Sequence, residues 1–224
     1  MNRMLSVRRH TGTSGLVILA ILTACGLTAG CGGSASSPAD GSVTNGVYKN
    51  SFFGLSMPIP NGWTIASQET EQHLSALGGR LVAGNNKSMQ ASMDAAKTGT
   101  YHLLNVSEHP IGAPVVYNPS VIVMAESEAA YPGIQTGSDF LFQLKRLLEH
   151  SALRWRAVGS SVPETVGGKS FYRLDGTMQV MGMTVWQSYF VTIDRRYALS
   201  FIISAGSADQ LAQMRKIVHA VTFA

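Results

Sequence analysis

Apolar residues recur with two regular spacings from about residue 46 to the end of the chain, and both spacings predict ordered structure. Phe53, Leu55 and Met57 alternate with small residues, which predicts one or two short strands within Tyr48–Ile59. Pro60-Asn61-Gly62 is a turn signal. The same alternation predicts strands at Tyr101–Ser107, Val121–Ser127, Leu153–Ala157, Ser170–Val180, Met183–Ile193 and Arg196–Ser204.

Helical spacing of apolar residues predicts four helices. The first, Glu69–Val82, carries Leu74, Leu77 and Leu81, although Gly78-Gly79 weakens or kinks it. The second predicted helix, Ser88–Lys97, is shorter. A third begins near Ser138 with the stripe Phe140, Leu141, Leu144, Leu147 and Leu148, and a fourth follows Ser207 with Leu211, Met214, Ile217, Val218 and Val221. Two tight turns, at Met181-Gly182 and Asp194-Arg195, join the last three strands, whose sheet the final helix covers on one face.

The first 24 residues have the features of an export signal. Met1–Arg9 is basic, and Gly15–Ala24 is an apolar stretch of about ten residues, shorter than the roughly 20 needed to span a bilayer. Leu22-Thr23-Ala24 before Cys25 is typical of a lipobox, so residues 1–24 are predicted to be a lipoprotein signal peptide. Lipidated Cys25 is the predicted anchor, and Cys31, preceded by Thr28-Ala29-Gly30, is the alternative.

Residues 25–45 form the predicted lipidated tether, since Gly, Ser, Ala, Thr and Pro dominate them. Residues 46–224 form the predicted globular domain. It has no cysteine and therefore no internal disulfide.

The high isoelectric point, about 9.2, does not indicate a nucleic-acid partner. Arg3, Arg8 and Arg9 belong to the leader, and without them 14 basic residues face 13 acidic ones. A nearly neutral domain lacks the overall field that draws a protein to phosphate. The predicted partner is the membrane, through the lipid anchor, with an envelope protein or an apolar ligand as further possibilities.

No residue pattern predicts a catalytic, cofactor-binding or metal-binding site. The histidines at 73, 102, 109, 150 and 219 lack the close spacing of metal ligands, and there is no Gly-x-Ser-x-Gly elbow. Glu126 and Glu128 share one face of a strand end and are interpreted as a solvated edge. Met178, Met181 and Met183 are interpreted mainly as core filling, and Trp155 as a core residue between two solvated arginines.

The opening of the domain resembles that of PsbP-like domains. The resemblance rests on Tyr48-x-Asn50-x-x-Phe53-Gly54-Leu55-Ser56, then Pro60-x-Gly62-Trp63, with a similar Thr222-Phe223 ending. It implies an α+β fold in which helices sandwich an antiparallel sheet across Gly46–Phe223. Because the family is functionally mixed, it implies no site residue and no activity.

These observations favour a membrane-anchored, extracytoplasmic lipoprotein of the cell envelope, with a non-enzymatic accessory or binding domain. Two alternatives stay open: an envelope hydrolase whose site is assembled only in three dimensions, and a carrier of a lipid or another apolar ligand. Convergent polar groups with shifted pKa values in a cleft would favour the hydrolase. A large dry cavity would favour the carrier, and an exposed apolar surface would favour a binding partner.

Overall fold

The computed structural model describes residues 37–130 and 133–224, and this part of the chain has an α+β fold. Its α-helices are α1 (Gln68–Ala83), α2 (Lys87–Ala96), α3 (Gly137–Glu149) and α4 (Ala208–His219). Its strands are β1 (Gly41–Thr44), β2 (Val47–Asn50), β3 (Leu55–Pro58), β4 (Thr64–Ile65), β5 (Thr100–Ser107), β6 (Ser120–Ser127), β7 (Arg156–Val166), β8 (Lys169–Val180), β9 (Met183–Asp194), β10 (Tyr197–Ala205) and β11 (Thr222–Phe223). The predicted leader, Cys25, Cys31 and the first part of the tether lie outside the described residues.

A seven-stranded antiparallel sheet is the centre of the fold, in the order β4-β5-β6-β10-β9-β8-β7. The predicted β8–β10 meander is confirmed. Met181 and Gly182 both have positive φ, and so do Arg195 and Arg196. Two-residue turns of this kind match the twist of the strands that they join. The prediction of the second turn was one residue too early, because Asp194 still pairs with Tyr197.

Both faces of the sheet are covered, which confirms the predicted sandwich. On one face α4 and a small second sheet enclose a core that includes Phe53, Val123, Phe201 and Leu211. On the other face α3 packs Leu141 and Leu148 against β8 to β10. Since β9 and β10 contact apolar groups on both sides, their burial is nearly continuous rather than alternating.

The small sheet, in the order β1-β2-β3-β11, corrects the predicted extent of the tether. Gly41–Thr44 were assigned to the tether but form β1, which pairs with β2 across a turn at Asn45-Gly46. Buried Asn50 holds this segment in place by donating from Nδ2 to the Pro38 carbonyl at 2.8 Å. A Cβ on Gly41 would lie 2.2 Å from the Tyr48 hydroxyl, so a larger residue there would force the buried Tyr48 ring to shift.

Helices α3 and α4 both begin at a side-chain cap. Thr136 and Asp139 form a capping box at the start of α3, and the Ser207 hydroxyl accepts from the Gln210 amide in α4. The Gln210 side chain accepts from the Gly206 amide instead of completing a box. Four residues of the predicted α4 stripe are buried, Leu211, Met214, Val218 and Val221, and Ile217 is partly buried.

Helix α1 is also present, and Gly78-Gly79 do not interrupt it, but its predicted stripe faces solvent in part. Leu77 is 40% exposed and Leu81 is 50% exposed. Leu147, predicted in the α3 stripe, is 39% exposed. Spacing identified the apolar sides of these helices but not whether another element would cover them.

Strand β7 is longer than predicted and begins later. Only Arg156 and Ala157 of the expected Leu153–Ala157 strand belong to it, and Pro163 is tolerated because β7 is an edge strand. Trp155, just before β7, is fully buried as predicted, with Arg154 and Arg156 exposed. Its ring lies over Gly176, where a Cβ would be 2.0 Å from the indole. Met181, interpreted as core filling, is almost fully exposed at a hairpin tip.

Candidate functional site

Helices α1 and α3 lie on the same face of the large sheet. His102 of β5 pairs with Met124, and Met124 pairs with Ser200 of β10. Ser200 lies on the same side of β10 as Ala198, which packs with the α3 leucines. His102 therefore points to the α3 side, where it meets α1.

Four polar side chains converge where α1 crosses β5, and we call them the Glu71 cluster: Glu71, Ser75, His102 and Asn105. Glu71 Oε1 lies 2.8 Å from His102 Nδ1, and Glu71 Oε2 accepts from Asn105 Nδ2 at 2.7 Å. Ser75 Oγ lies 3.2 Å from His102 Nε2. Glu71 and Ser75 reach the same histidine because residues four apart share one face of a helix. This cluster is the candidate functional site.

The carboxylate determines the protonation pattern of the cluster. Burial alone would raise the pKa of Glu71, but hydrogen bonds from His102 and Asn105 and the His102 charge outweigh it and leave that pKa below its usual value. A carboxylate beside Nδ1 makes this nitrogen the donor, and when the ring is neutral, Nε2 accepts from the Ser75 hydroxyl. The Glu71 side chain is only 15% exposed, so solvent screens these bonds weakly.

The order serine hydroxyl, imidazole, carboxylate is the order of a nucleophilic triad. In such a triad the imidazole takes the hydroxyl proton and the carboxylate stabilises the resulting imidazolium. Acyl transfer also needs free N–H donors for the developing oxyanion. Ser75 lies in the interior of α1, where its amide and that of Ala76 bond to carbonyls one turn back. The cluster can therefore polarise a hydroxyl, but the nucleophile's own helix supplies no oxyanion hole.

The sequence did not predict this cluster. Glu71 and Ser75 are visible as a polar pair at helical spacing, but His102 is 27 residues beyond Ser75 and joins them only through the fold. The structure does not bring the other histidines into it. His150 caps α3 with Nδ1 2.7 Å from the Arg146 carbonyl, and His219 ends α4 with its ring edge against Phe190.

Glu126 and Glu128 are not the solvated edge that the sequence suggested. Both are partly buried, and burial raises the pKa of each, with Arg196 partly offsetting the effect at Glu128. Oε1 of Glu128 is buried without a hydrogen-bond partner among the residues described. The error has a physical cause: Glu126 lies on the face of β6 that carries Ile122 and Met124, and this face is also covered.

A second polar group, buried beneath α3, has a structural role. Gln187 Oε1 accepts from the Trp155 indole at 3.2 Å and from the Tyr189 hydroxyl at 2.7 Å. Gln187 Nε2 donates to Ser204 Oγ at 3.1 Å. Burial raises the pKa of Tyr189, which stays protonated as a donor. Because both ends of the Gln187 amide are bonded, the group fixes the packing of Trp155.

A surface depression lies at the β7–β8 edge. This place is not between the sheet and the helices, where a carrier would hold its ligand. The depression has a volume of about 410 Å³ and is lined by Pro163, Glu164, Thr165, Ser170, Phe171 and Tyr172. Residues 37–130 and 133–224 contain no group of three or more His, Cys, Asp or Glu placed to hold a metal ion. In the same residues, no helix is both long and apolar enough to cross a membrane.

No family model matches the chain, and no curated protein matches its sequence. Several solved structures do match in fold. Cyanobacterial PsbP from Synechocystis sp. PCC 6803 is 15% identical with a TM-score of 0.46, covering 89% of this chain and all of its own. LpqN, involved in cell envelope biogenesis of Mycobacterium tuberculosis, is 14% identical with a TM-score of 0.39, covering 75% and 82%. PA94 of Pseudomonas aeruginosa, of unknown function, is 13% identical with a TM-score of 0.33, covering 52% and 73%.

At these identities and scores the three structures say nothing about the activity of this chain.

Proposed function

We propose that the chain is a lipid-anchored, extracytoplasmic protein of the cell envelope whose domain binds a partner and catalyses no reaction. The anchor is the lipid on Cys25, with Cys31 as the alternative. The leader sequence supports the export and the anchor, as argued from its basic start, apolar stretch and lipobox.

One observation carries the binding role: the apolar side chains at the C-terminal ends of α1 and α3 are left uncovered. Leu77, Leu81 and Leu147 each remain 39% to 50% exposed although their spacing is that of core positions. Fully burying a leucine contributes about 1.5–3 kcal/mol, so a domain that kept these side chains for its own stability would cover them. Exposed apolar surface of this kind marks interaction sites in soluble domains.

The test is site-specific photo-crosslinking in intact cells. A photoreactive residue replaces Leu81 in one strain and Val116 in another. Val116, 85% exposed in the loop before β6, is the matched control for an apolar side chain outside this surface. We expect an adduct with an envelope component, lipid or protein, at position 81 and none at position 116. No adduct at position 81, or equal adducts at both, would contradict the binding role.

The Glu71 cluster favours a second candidate function, hydrolysis of an ester or another acyl compound. In that reaction Ser75 Oγ would attack the carbonyl carbon while His102 Nε2 takes its proton. The proton would pass to the leaving alcohol, and water would then release the acid and restore Ser75.

A fluorophosphonate that reacts with activated serines distinguishes the two functions. Binding alone predicts no labelling of Ser75 and equal ester turnover by the wild type and Ser75→Ala. Labelling and turnover that both disappear in Ser75→Ala, with an unchanged melting temperature, would establish the hydrolase instead.

A further inference from the structure

The C-terminal ends of α1 and α3 meet at one place on the molecule. The Ala152 amide donates to the Val82 carbonyl at 3.0 Å, and a Cβ on Gly84 would lie 2.8 Å from the Ala152 methyl group. Residues within six positions of the Val82–Ala152 contact are within about 10 Å of it along a helix. Six exposed members of that set define what we call the basic patch: Leu77, Arg80, Leu81, Arg146, Leu147 and Arg154.

The segments around the basic patch carry a net positive charge, whereas the other described residues carry a net negative charge. Residues 77–83 and 143–156 hold five basic side chains and one acidic side chain, Glu149. All other described residues hold nine basic and twelve acidic side chains. Glu149 lies 4.0 Å from Lys145, a residue outside the patch. None of the salt bridges among the described residues involves Arg80, Arg146 or Arg154.

We propose that the basic patch docks on the anionic lipid surface of the membrane that carries the anchor. The occupant follows from the chemistry of the patch, because leucines among arginines can enter the headgroup boundary while the guanidinium groups meet lipid phosphates. A basic protein partner would be repelled, and an uncharged one would gain nothing from the arginines.

The inference rests on the proposed lipid anchor, which limits the distance between the domain and the bilayer. Ser37, the first described residue, is twelve positions after Cys25. Even a fully extended chain of twelve residue steps spans at most about 43 Å. The domain therefore stays near the bilayer at high effective concentration, so a patch of low intrinsic affinity is sufficient.

The experiment uses the full lipidated chain in vesicles and follows amide hydrogen exchange by mass spectrometry. One set of vesicles is phosphatidylcholine, and in the other phosphatidylglycerol replaces part of it. We expect exchange in the last two turns of α1 and α3 to slow at least fivefold in the anionic vesicles only, and high salt to reverse the effect.

Two matched double variants test the charge. Arg80→Gln with Arg154→Gln removes two patch charges, and Lys49→Gln with Lys216→Gln removes two exposed charges elsewhere. Arg80 and Lys216 both lie in the last turn of a helix, so both variants lose the same favourable dipole interaction. We expect the protection to disappear in the first variant and to persist in the second.

Equal exchange in the two kinds of vesicle, or equal behaviour of the two variants, would overturn the proposal. So would a polypeptide adduct at Leu81 in cells together with no protection by lipid, since the occupant would then be a protein. The experiment distinguishes failure of the proposed lipid anchor from failure of the proposed basic patch. If the chain carries no lipid, it does not stay on neutral vesicles. Binding of that chain to anionic vesicles would still support the patch.

Discussion

Replacing Glu71 with Gln tests the candidate site through its pH dependence. The isosteric amide retains an acceptor for Asn105 but loses the negative charge that holds His102. A hydrogen bond to a charged group contributes about 1.5–3 kcal/mol, and the slight exposure of Glu71 places the expected loss near 2 kcal/mol at neutral pH. For a domain of this size, that corresponds to a fall in melting temperature of about 4–8 °C.

The pH dependence has a definite sign because the pKa of Glu71 is lower in the folded state than its usual value of 4.5. The carboxylate stabilises the fold above that value, and this contribution is lost as the pH falls through the folded-state pKa. The melting temperatures of the wild type and Glu71→Gln should therefore converge in acid, once the pH is below the folded-state pKa of Glu71.

Glu126→Gln should change the melting temperature at neutral pH in the opposite direction. Burial raises the pKa of Glu126, so its charged form destabilises the fold as the pH rises through the folded-state pKa. The amide variant should melt above the wild type at neutral pH and with it in acid. Exposed Glu108→Gln is the control and should change neither value.

The assay is thermal unfolding followed by circular dichroism across this pH range, with hydrogen exchange in α1 to detect local detachment of the helix. If Glu71→Gln matches the wild type at neutral pH in both melting temperature and α1 exchange, the Glu71 cluster does not hold α1. An equal loss at neutral and acid pH would show that the carboxylate charge is not the cause.

Three further variants test the packing. Trp155→Ala should cost about 3–5 kcal/mol in denaturant unfolding, because its ring is fully buried; a smaller loss would mean that the site is not part of the core. Gly176→Ala should destabilise through its clash with Trp155, and the two changes together should cost less than their sum, because the new methyl group enters the space of the lost ring. Gly78→Ala should stabilise by up to about 1 kcal/mol, since nothing lies within 4 Å of its added Cβ, and a lower midpoint would indicate a contact at this position.

The elements that were predicted correctly are those whose own residues specify both their apolar spacing and the turn or cap at their ends. The β8–β10 meander and α4 combine regular spacing with local turn or cap residues, and both formed as expected. Strand β1 was missed because small residues at Gly41–Thr44 suggested a tether. The Asn45-Gly46 dipeptide beside them is a strong hairpin signal, and it should have outweighed the composition.

The candidate site could not be predicted in the same way. Its contacts depend on the register of β5 and on which side of α1 meets the sheet, and neither is encoded by residues near Glu71 in sequence. The burial of Glu126 also depends on a distant feature, the helical layer that covers the second face of the sheet. Exposure of Leu77 and Leu81 reflects the same limit, because a leucine stripe does not specify its partner.

The lipid on Cys25 is the most direct test of the proposed function, because anchoring places the domain at the membrane. The measurement is mass spectrometry of the N-terminal peptide of the protein purified from its own cell envelope. We predict a peptide that begins at Cys25 and carries acyl groups on that residue. Acyl groups on Cys31 would move the anchor by six residues, and an unmodified peptide beginning at Met1 would contradict the anchored lipoprotein.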